Sequence, residues 1–249
     1  MFKSYVDFHS RHHSIQSMTA PLPFEPVKAR QTVQDVIYRA LHDALVIGQF
    51  EPGQVLTLDA LSQSFGTSHM PVREALRRLV AESALELTAS GSCRVPGVSR
   101  KRLDHLFDAR YALEALAVER AVPFITADLL RKLDKSCKAH QAVTRDDGVE
   151  ALLRHNQEFH FLVYRASGSD VLPQLIGLLW LRLGPYLRML SRAIEERIGT
   201  PEFANGSANH VDLIAALEAR DTRAATAAIN ADMRATYDLL IARIDDPQN

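Results

Sequence analysis

The stretch that decides the fold reads Gly66-Thr-Ser-His-Met-Pro-Val-Arg-Glu-Ala-Leu-Arg-Arg-Leu79. Val72, Ala75, Leu76 and Leu79 recur at spacings of three and four, which puts them on one face of a helix. Arg73, Arg77 and Arg78 project elsewhere. Ser68 offers a capping hydroxyl, and Pro71 is tolerated in a first turn. The spacing therefore predicts a helix from Ser68 to about Ser83. Before it, Leu58–Phe65 predicts a shorter helix capped by Thr57, with Gly66-Thr-Ser68 as the break between the two. Further upstream, Val33, Val36, Ile37, Ala40, Leu41, Ala44 and Leu45 predict a helix ending near Gly48, and Phe50-Glu-Pro-Gly53 a turn. Downstream, Leu85–Thr88 and Cys93–Val95 flank Ala89-Ser-Gly-Ser92 as a hairpin. Helix, helix-turn-helix and hairpin together suggest a winged helix-turn-helix.

The rest of the chain reads as helix after helix, with breaks expected at Pro123, Asp146-Asp-Gly148, Ser167-Gly-Ser169, Gly184-Pro185, Gly199-Thr-Pro201 and Asn205-Gly206. The expected architecture is mainly α. It comprises a flexible N-terminal arm (1–26), a winged helix-turn-helix domain with a short β-hairpin (27–95), a linker (96–99) and an all-α bundle (100–245). Val95-Pro-Gly-Val98 is the natural hinge. Ordinary globular composition excludes disordered and low-complexity classes. No apolar run reaches transmembrane length, and Met1–Met18 lacks the apolar core of a signal peptide. The 2 cysteines, Cys93 and Cys137, lie too far apart for a metal knuckle. A cytoplasmic setting is expected.

Net charge is −1 over the whole chain and +1 over residues 28–100, so charge alone names no partner. A basic footprint must be local. A recognition helix places its N-terminal half in the major groove, where cations pair with phosphates and guanine edges. Ser68, His69 and Arg73 occupy that half here, and the small wing tip around Gly91 could approach a sugar–phosphate backbone. The bland alternative is a solvated helix with surface arginines.

The run from Gly53 through Gly66 to Leu79, and the string PVREALRRL (Pro71–Leu79) above all, resembles the N-terminal domain of GntR-superfamily transcriptional regulators. The resemblance implies binding to double-stranded DNA, with Ser68, His69 and Arg73 on bases or phosphates, Arg77 in support and Gly91 at the wing tip. The family commonly carries Arg where this chain has His69, which alters one guanine contact.

In the helical region, polar residues interrupt apolar stripes. Arg110 falls within Leu103, Leu106, Phe107, Leu113 and Ala117. Asn156 and His160 fall within Val149, Leu152, Leu153, Phe159 and Val163. His210 shares a face with Leu213, Ile214 and Leu217, and Asp232 shares one with Ala225, Ala228, Ile229, Leu239 and Leu240. Buried unpaired, each would be costly, so they should satisfy one another, a metal or a ligand. Two imidazoles, a carboxylate and an amide suit a first-row divalent ion such as zinc. Hydrogen-bonded core histidines are the other reading, and both stay open from the residues. His155 lies off the stripe.

This region resembles the FCD ligand-binding domain of the FadR branch, through Ala109-Arg-Tyr-Ala-Leu-Glu114, Asn156-Gln-Glu-Phe-His160, Asn209-His210 with Ala219-Arg-Asp221, and an alanine-rich last helix. The resemblance implies a divalent metal, zinc first, on Asn156, His160, His210 and Asp232, the last standing where the family has His. It also implies a small organic acid or sugar acid as effector, held by Arg110; Arg182 and Arg188 are secondary candidates for the same cavity. Trp180 and Tyr186 read as packing groups. The function so implied is a ligand-responsive regulator, a repressor by the commoner pattern, acting as a homodimer on a palindromic operator. The competing reading is a metal-dependent hydrolase or lyase on a helical bundle, which requires a free inward general base.

Overall fold

The computed structural model describes residues 32–198, 200 and 207–245. The expected arm (1–26) and the expected break at Asn205-Gly206 lie outside the described residues.

The N-terminal helix α1 (Val33–Val46) opens on a capping box in which Thr32 and Asp35 satisfy each other's backbone N–H groups. Its buried stripe is Ile37, Tyr38, Leu41 and Leu45; Val33 and Val36, expected on that stripe, are 57% and 50% exposed. Tyr38 takes their place because Arg78 stacks on its ring at 3.6 Å and its hydroxyl donates to Glu82. Strand β1 (Val55–Leu56) follows, then α2 (Leu58–Phe65), capped as expected by Thr57. Helix α3 (His69–Ala81) has Val72, Ala75, Leu76 and Leu79 buried; Ser68 holds its N-cap position, but its side chain makes no capping hydrogen bond.

Strands β2 (Glu86–Leu87) and β3 (Cys93–Arg94) form the expected hairpin. The sheet has a third member that the sequence did not signal. β1 pairs antiparallel with β3 in the order β1-β3-β2, with Leu56 opposite Cys93 and Leu87 opposite Cys93 on the other side. A two-residue strand carries no alternation to detect, and only pairing defines it.

The second region consists of α4 (Arg100–Ala121), a 3₁₀ turn (Val122–Phe124), α5 (Ala127–Gln141), α6 (Gly148–Arg165), α7 (Leu172–Arg197), α8 (Ala208–Glu218) and α9 (Thr222–Ile244). Breaks fall at Pro123, before Gly148 and around Ser167–Ser169 as expected. Gly184-Pro185 is not a break, because α7 runs through both. The reason is packing. A Cβ at Gly184 would lie 1.8 Å from the Leu45 carbonyl oxygen, so glycine is there to let α7 and α1 touch backbone to backbone. Gly48, left-handed at φ 69°, completes that junction, since a Cβ there would meet the Arg188 nitrogen at 2.8 Å.

Two apolar cores result. The first joins α1, α3 and the sheet, and takes in Leu181 from α7. The second is built around Phe107, Phe159, Tyr164, Ile176 and Ile229 in the helical bundle. Helix α7 thus contributes to both. The expected hinge is held at each end: Val95 pairs with Gln54, and Tyr186 donates to the Ser99 carbonyl while accepting from the Ser99 N–H.

Candidate functional site

Two sites are built on this frame. The first is the exposed side of α3. Burial of Val72, Ala75, Leu76 and Leu79 turns Ser68, His69, Arg73 and Arg77 outward. The arginines are not equivalent. Arg77 pairs with Glu74 at 2.7 Å, while Arg78 is committed to Tyr38 and Glu82 and so works as a strut between α3 and α1. Among the described residues, Arg73 has no carboxylate within 4.0 Å and stays exposed. His69 lies 3.1 Å from Asp59 on α2, so a carboxylate stands behind the first outward side chain of α3. At the wing, Gly91 adopts φ 82° with nothing within 4 Å of where a Cβ would be. Thr88 and Ser92 close that turn by backbone and side-chain hydrogen bonds.

The second site is a cavity of about 210 Å³ among α4, α6, α7 and α9. Arg110, Asn156, His160 and Asp232 all line it, as their stripes implied, and buried His210 adjoins. The Nε2 atoms of His160 and His210 stand 3.3 Å apart. Asp232 brings one oxygen to 3.2 Å from His160 Nε2 and the other to 3.6 Å from His210 Nε2. These three donors come from three helices and lie within 4.8 Å of one another. Asn156, one helical turn before His160, lines the cavity and is half-buried. Phe159 stacks on the His210 ring at 4.1 Å.

Burial, then the neighbouring His160, pushes the His210 imidazole down to about 3; burial pushes His140 down to about 4. Both are neutral at physiological pH. Burial alone would raise the Asp232 carboxyl, but the His160 and His210 imidazoles beside it, then the Arg110 guanidinium, hold it below its ordinary value. It is therefore a carboxylate.

Behind this cluster, sequence reasoning gave Glu114 and Tyr164 no role of their own and read Trp180 as packing. Glu114, fully buried, accepts from Arg110 Nε at 2.6 Å, from Arg110 Nη2 at 3.4 Å, from Trp180 Nε1 at 3.1 Å and from the Tyr164 hydroxyl. Tyr164 in turn lies 3.2 Å from His160 Nδ1. The spacing signal existed: Arg110 and Glu114, like His160 and Tyr164, are one helical turn apart. His140, whose Nδ1 meets the Ser207 hydroxyl at 2.8 Å, also lines the cavity unexpectedly.

Some expectations are corrected. The Arg110 fork is engaged by Glu114, which leaves Nη1 alone as a buried donor without a hydrogen-bond partner among the described residues. Arg182 and Arg188 do not line this cavity; they reach the first domain, at the Glu82 carbonyl and the Glu51 carboxylate. Trp180 lines the cavity besides packing. Leu239, expected in the core, is 47% exposed at the cavity wall. Glu114, with four donors on it, is no free general base, so the hydrolase reading loses the group it needs.

A winged helix-turn-helix joined to a helical domain with an internal cavity of mixed polar and apolar lining defines a class: one-component DNA-binding regulators. Sequence comparison makes it specific. The model for bacterial regulatory proteins of the gntR family matches residues 33–95, and the FCD domain model matches residues 105–235. The chain belongs to the gntR family of bacterial regulatory proteins, in the group carrying an FCD domain. It is a DNA-binding transcriptional regulator and not an enzyme. Among its relatives, the HTH-type transcriptional regulator McbR of Escherichia coli K12 is 34% identical over 73% of this chain and 80% of that protein. The gluconate operon transcriptional repressor of Bacillus subtilis 168 is 26% identical over 71% of this chain and 72% of its own length. The solved structure of E. coli McbR/YncC superposes with a TM-score of 0.80 at 30% identity, covering 86% of this chain and 99% of that one. Among the described residues, no helix is long and apolar enough to cross a membrane.

Proposed function

We propose that this regulator is a homodimeric repressor released by a small carboxylate, which is bound beside a divalent metal. The observation that carries the reading is the convergence of His160, His210 and Asp232 on one point, with Arg110, whose buried Nη1 has no hydrogen-bond partner among the described residues, in the wall of the same cavity.

The residues fit a metal. A metal on His160 Nε2 requires the ring proton on Nδ1, and Tyr164, which gives its own proton to Glu114, offers the oxygen that would accept it. In that tautomer Nε2 faces a carboxylate and a second imidazole. Such a cluster of acceptors calls for a cation. Nitrogens roughly 2.0–2.1 Å from a tetrahedral zinc stand about 3.3–3.4 Å apart, which suits the two imidazoles here. His160, His210 and Asp232 would hold the ion, with Asn156 beside them, and the Glu114–Tyr164 pair fixes the tautomer of His160. The ion would supply a Lewis-acidic position for a carboxylate oxygen. Arg110 Nη1 adds one charge-assisted hydrogen bond, not the two of a free guanidinium fork.

At the other end, Ser68, His69, Arg73 and Arg77 read or clamp the operator, with Gly91 letting the wing approach the backbone. One recognition helix covers few base pairs, so two copies on a palindrome supply the specificity. Several relatives are named repressors, which supports that direction of control. An effector favouring one domain arrangement would shift operator affinity by a coupling free energy of about 1–3 kcal/mol.

The test combines metal analysis with operator titration. Purified protein should carry about one divalent ion per chain, and His160→Ala or His210→Ala should lose it. Ions retained at full stoichiometry in both variants would remove the ligand assignment. Operator binding indifferent to chelator and to every carboxylate would leave a DNA-binding protein without this control.

A further inference from the structure

We infer that Met70 reads the operator through the 5-methyl group of a thymine in the major groove. The inference rests on α3 as the recognition helix and adds an apolar contact to the polar ones already assigned to it.

The direction of the side chain comes first. Successive helical positions turn by about 100°, and Val72, Ala75, Leu76 and Leu79 mark the buried side of α3. The opposite side is the row Met70, Arg73 and Arg77, set at spacings of three and four. Met70 and Leu79 stand on opposite sides of the helix, so Met70 points straight away from the core. It heads the outward row in the first turn of the helix, the end that a recognition helix turns to the base edges. His69, one position earlier, lies about 100° off that row. It stands 3.1 Å from Asp59, so the flank beside α2 is polar and the centre of the outward face begins with a thioether.

Chemistry then selects the partner. Met70 is 59% exposed. A lone exposed apolar side chain carries no message by itself; this one leads a row whose next two members are arginines. Arginine suits phosphates and guanine edges, whereas a thioether has no hydrogen to donate and is a weak acceptor. On the major-groove edges of the base pairs, the apolar group is the thymine methyl. An unbranched side chain with a polarizable sulfur can adjust to it.

The experiment uses the full-length protein and a duplex recovered with it by selection from a random library. Each thymine is replaced singly by deoxyuridine, which removes the methyl and keeps the base pairing, and binding is followed by fluorescence anisotropy. Wild type should lose affinity about fourfold at one thymine, the effect of one buried methyl group. Met70→Gln keeps the length of the side chain and puts an amide in place of the thioether. It should bind thymine and deoxyuridine equally at that position, so that the loss vanishes in the double-mutant cycle. A thermal melt checks that this exposed substitution leaves the fold intact. Indifference of wild type to every replacement overturns the inference, as does a loss that Met70→Gln retains in full. Arg73→Ala separates this failure from that of the underlying reading. Weakened binding by Arg73→Ala with no effect of deoxyuridine leaves α3 as the recognition helix without an apolar contact. If neither change matters, both readings fall.

Discussion

At the residue scale, identical side chains in one helix serve different ends. Arg73 and Arg78 lie little more than a turn apart. Yet Arg78 is stacked on Tyr38 and paired with Glu82, while Arg73 is exposed and forms no ion pair among the described residues. Arg73→Ala should therefore weaken operator binding by about 1–3 kcal/mol with Tm unchanged. Arg78→Ala should lower stability by about 1 kcal/mol, with a smaller effect on DNA. Gel-shift titration beside thermal melts checks both, and reversed effects would exchange the two roles. The same logic applies behind the metal candidates. Tyr164→Phe removes the acceptor that orients His160 and a donor to Glu114. Zinc affinity should fall about 10- to 100-fold, as for other partners of metal-bound imidazoles. Competition against a fluorescent chelator measures it, and unaltered affinity would sever Tyr164 from the site.

At the element scale, the wing is tied down as well as paired. Glu86 on β2 meets Arg94 of β3 at 3.1 Å and Arg102 of α4 at 3.2 Å, so one carboxylate joins the hairpin to the first helix of the second domain. The hydrogen bond from Arg94, then that from Arg102, holds its carboxyl below the ordinary value of 4.5 against a raising effect of burial. A carboxylate lowered in the folded state stabilises above its unfolded value, and that contribution is lost as pH falls through the folded one. Wild type should thus lose stability relative to Glu86→Gln as pH drops below about 4.5, and exceed it near neutrality by up to about 1 kcal/mol. Denaturant melts at pH 7 and pH 4 test the sign. A wild-type advantage that did not shrink on acidification would show that the pair contributes nothing through charge.

At the scale of the whole molecule, α7 is the element that spans the two functions. Trp180, Leu183, Leu187 and Leu190 line the cavity, while Leu181 enters the core of the DNA-binding domain and Arg182 and Arg188 bond to it. A ligand that moves α7 must act on the Gly184–Leu45 junction. Gly184→Ala places a methyl 1.8 Å from the Leu45 carbonyl oxygen, so the two helices must separate. A loss of about 1–3 kcal/mol is expected, together with operator binding that no longer responds to ligand. An unchanged melt and an intact response would move the coupling elsewhere.

What the sequence by itself determined is everything carried by local periodicity and short strings. The recognition helix, its apolar face, the hairpin and five inward polar residues were legible, because side-chain direction follows from spacing within one helix. Family resemblance then implied a divalent ion shared by Asn156, His160, His210 and Asp232. Only the tertiary structure decided which groups meet. Glu114 takes the Arg110 fork, Arg182 and Arg188 turn to the other domain, and β1 exists through pairing alone. Gly184-Pro185 reads as a break because glycine and proline weaken a helix locally, by about 1 and 3 kcal/mol. The fold overrides that preference because α7 packs into two cores at once, and the missing side chain is what allows its backbone to meet that of α1.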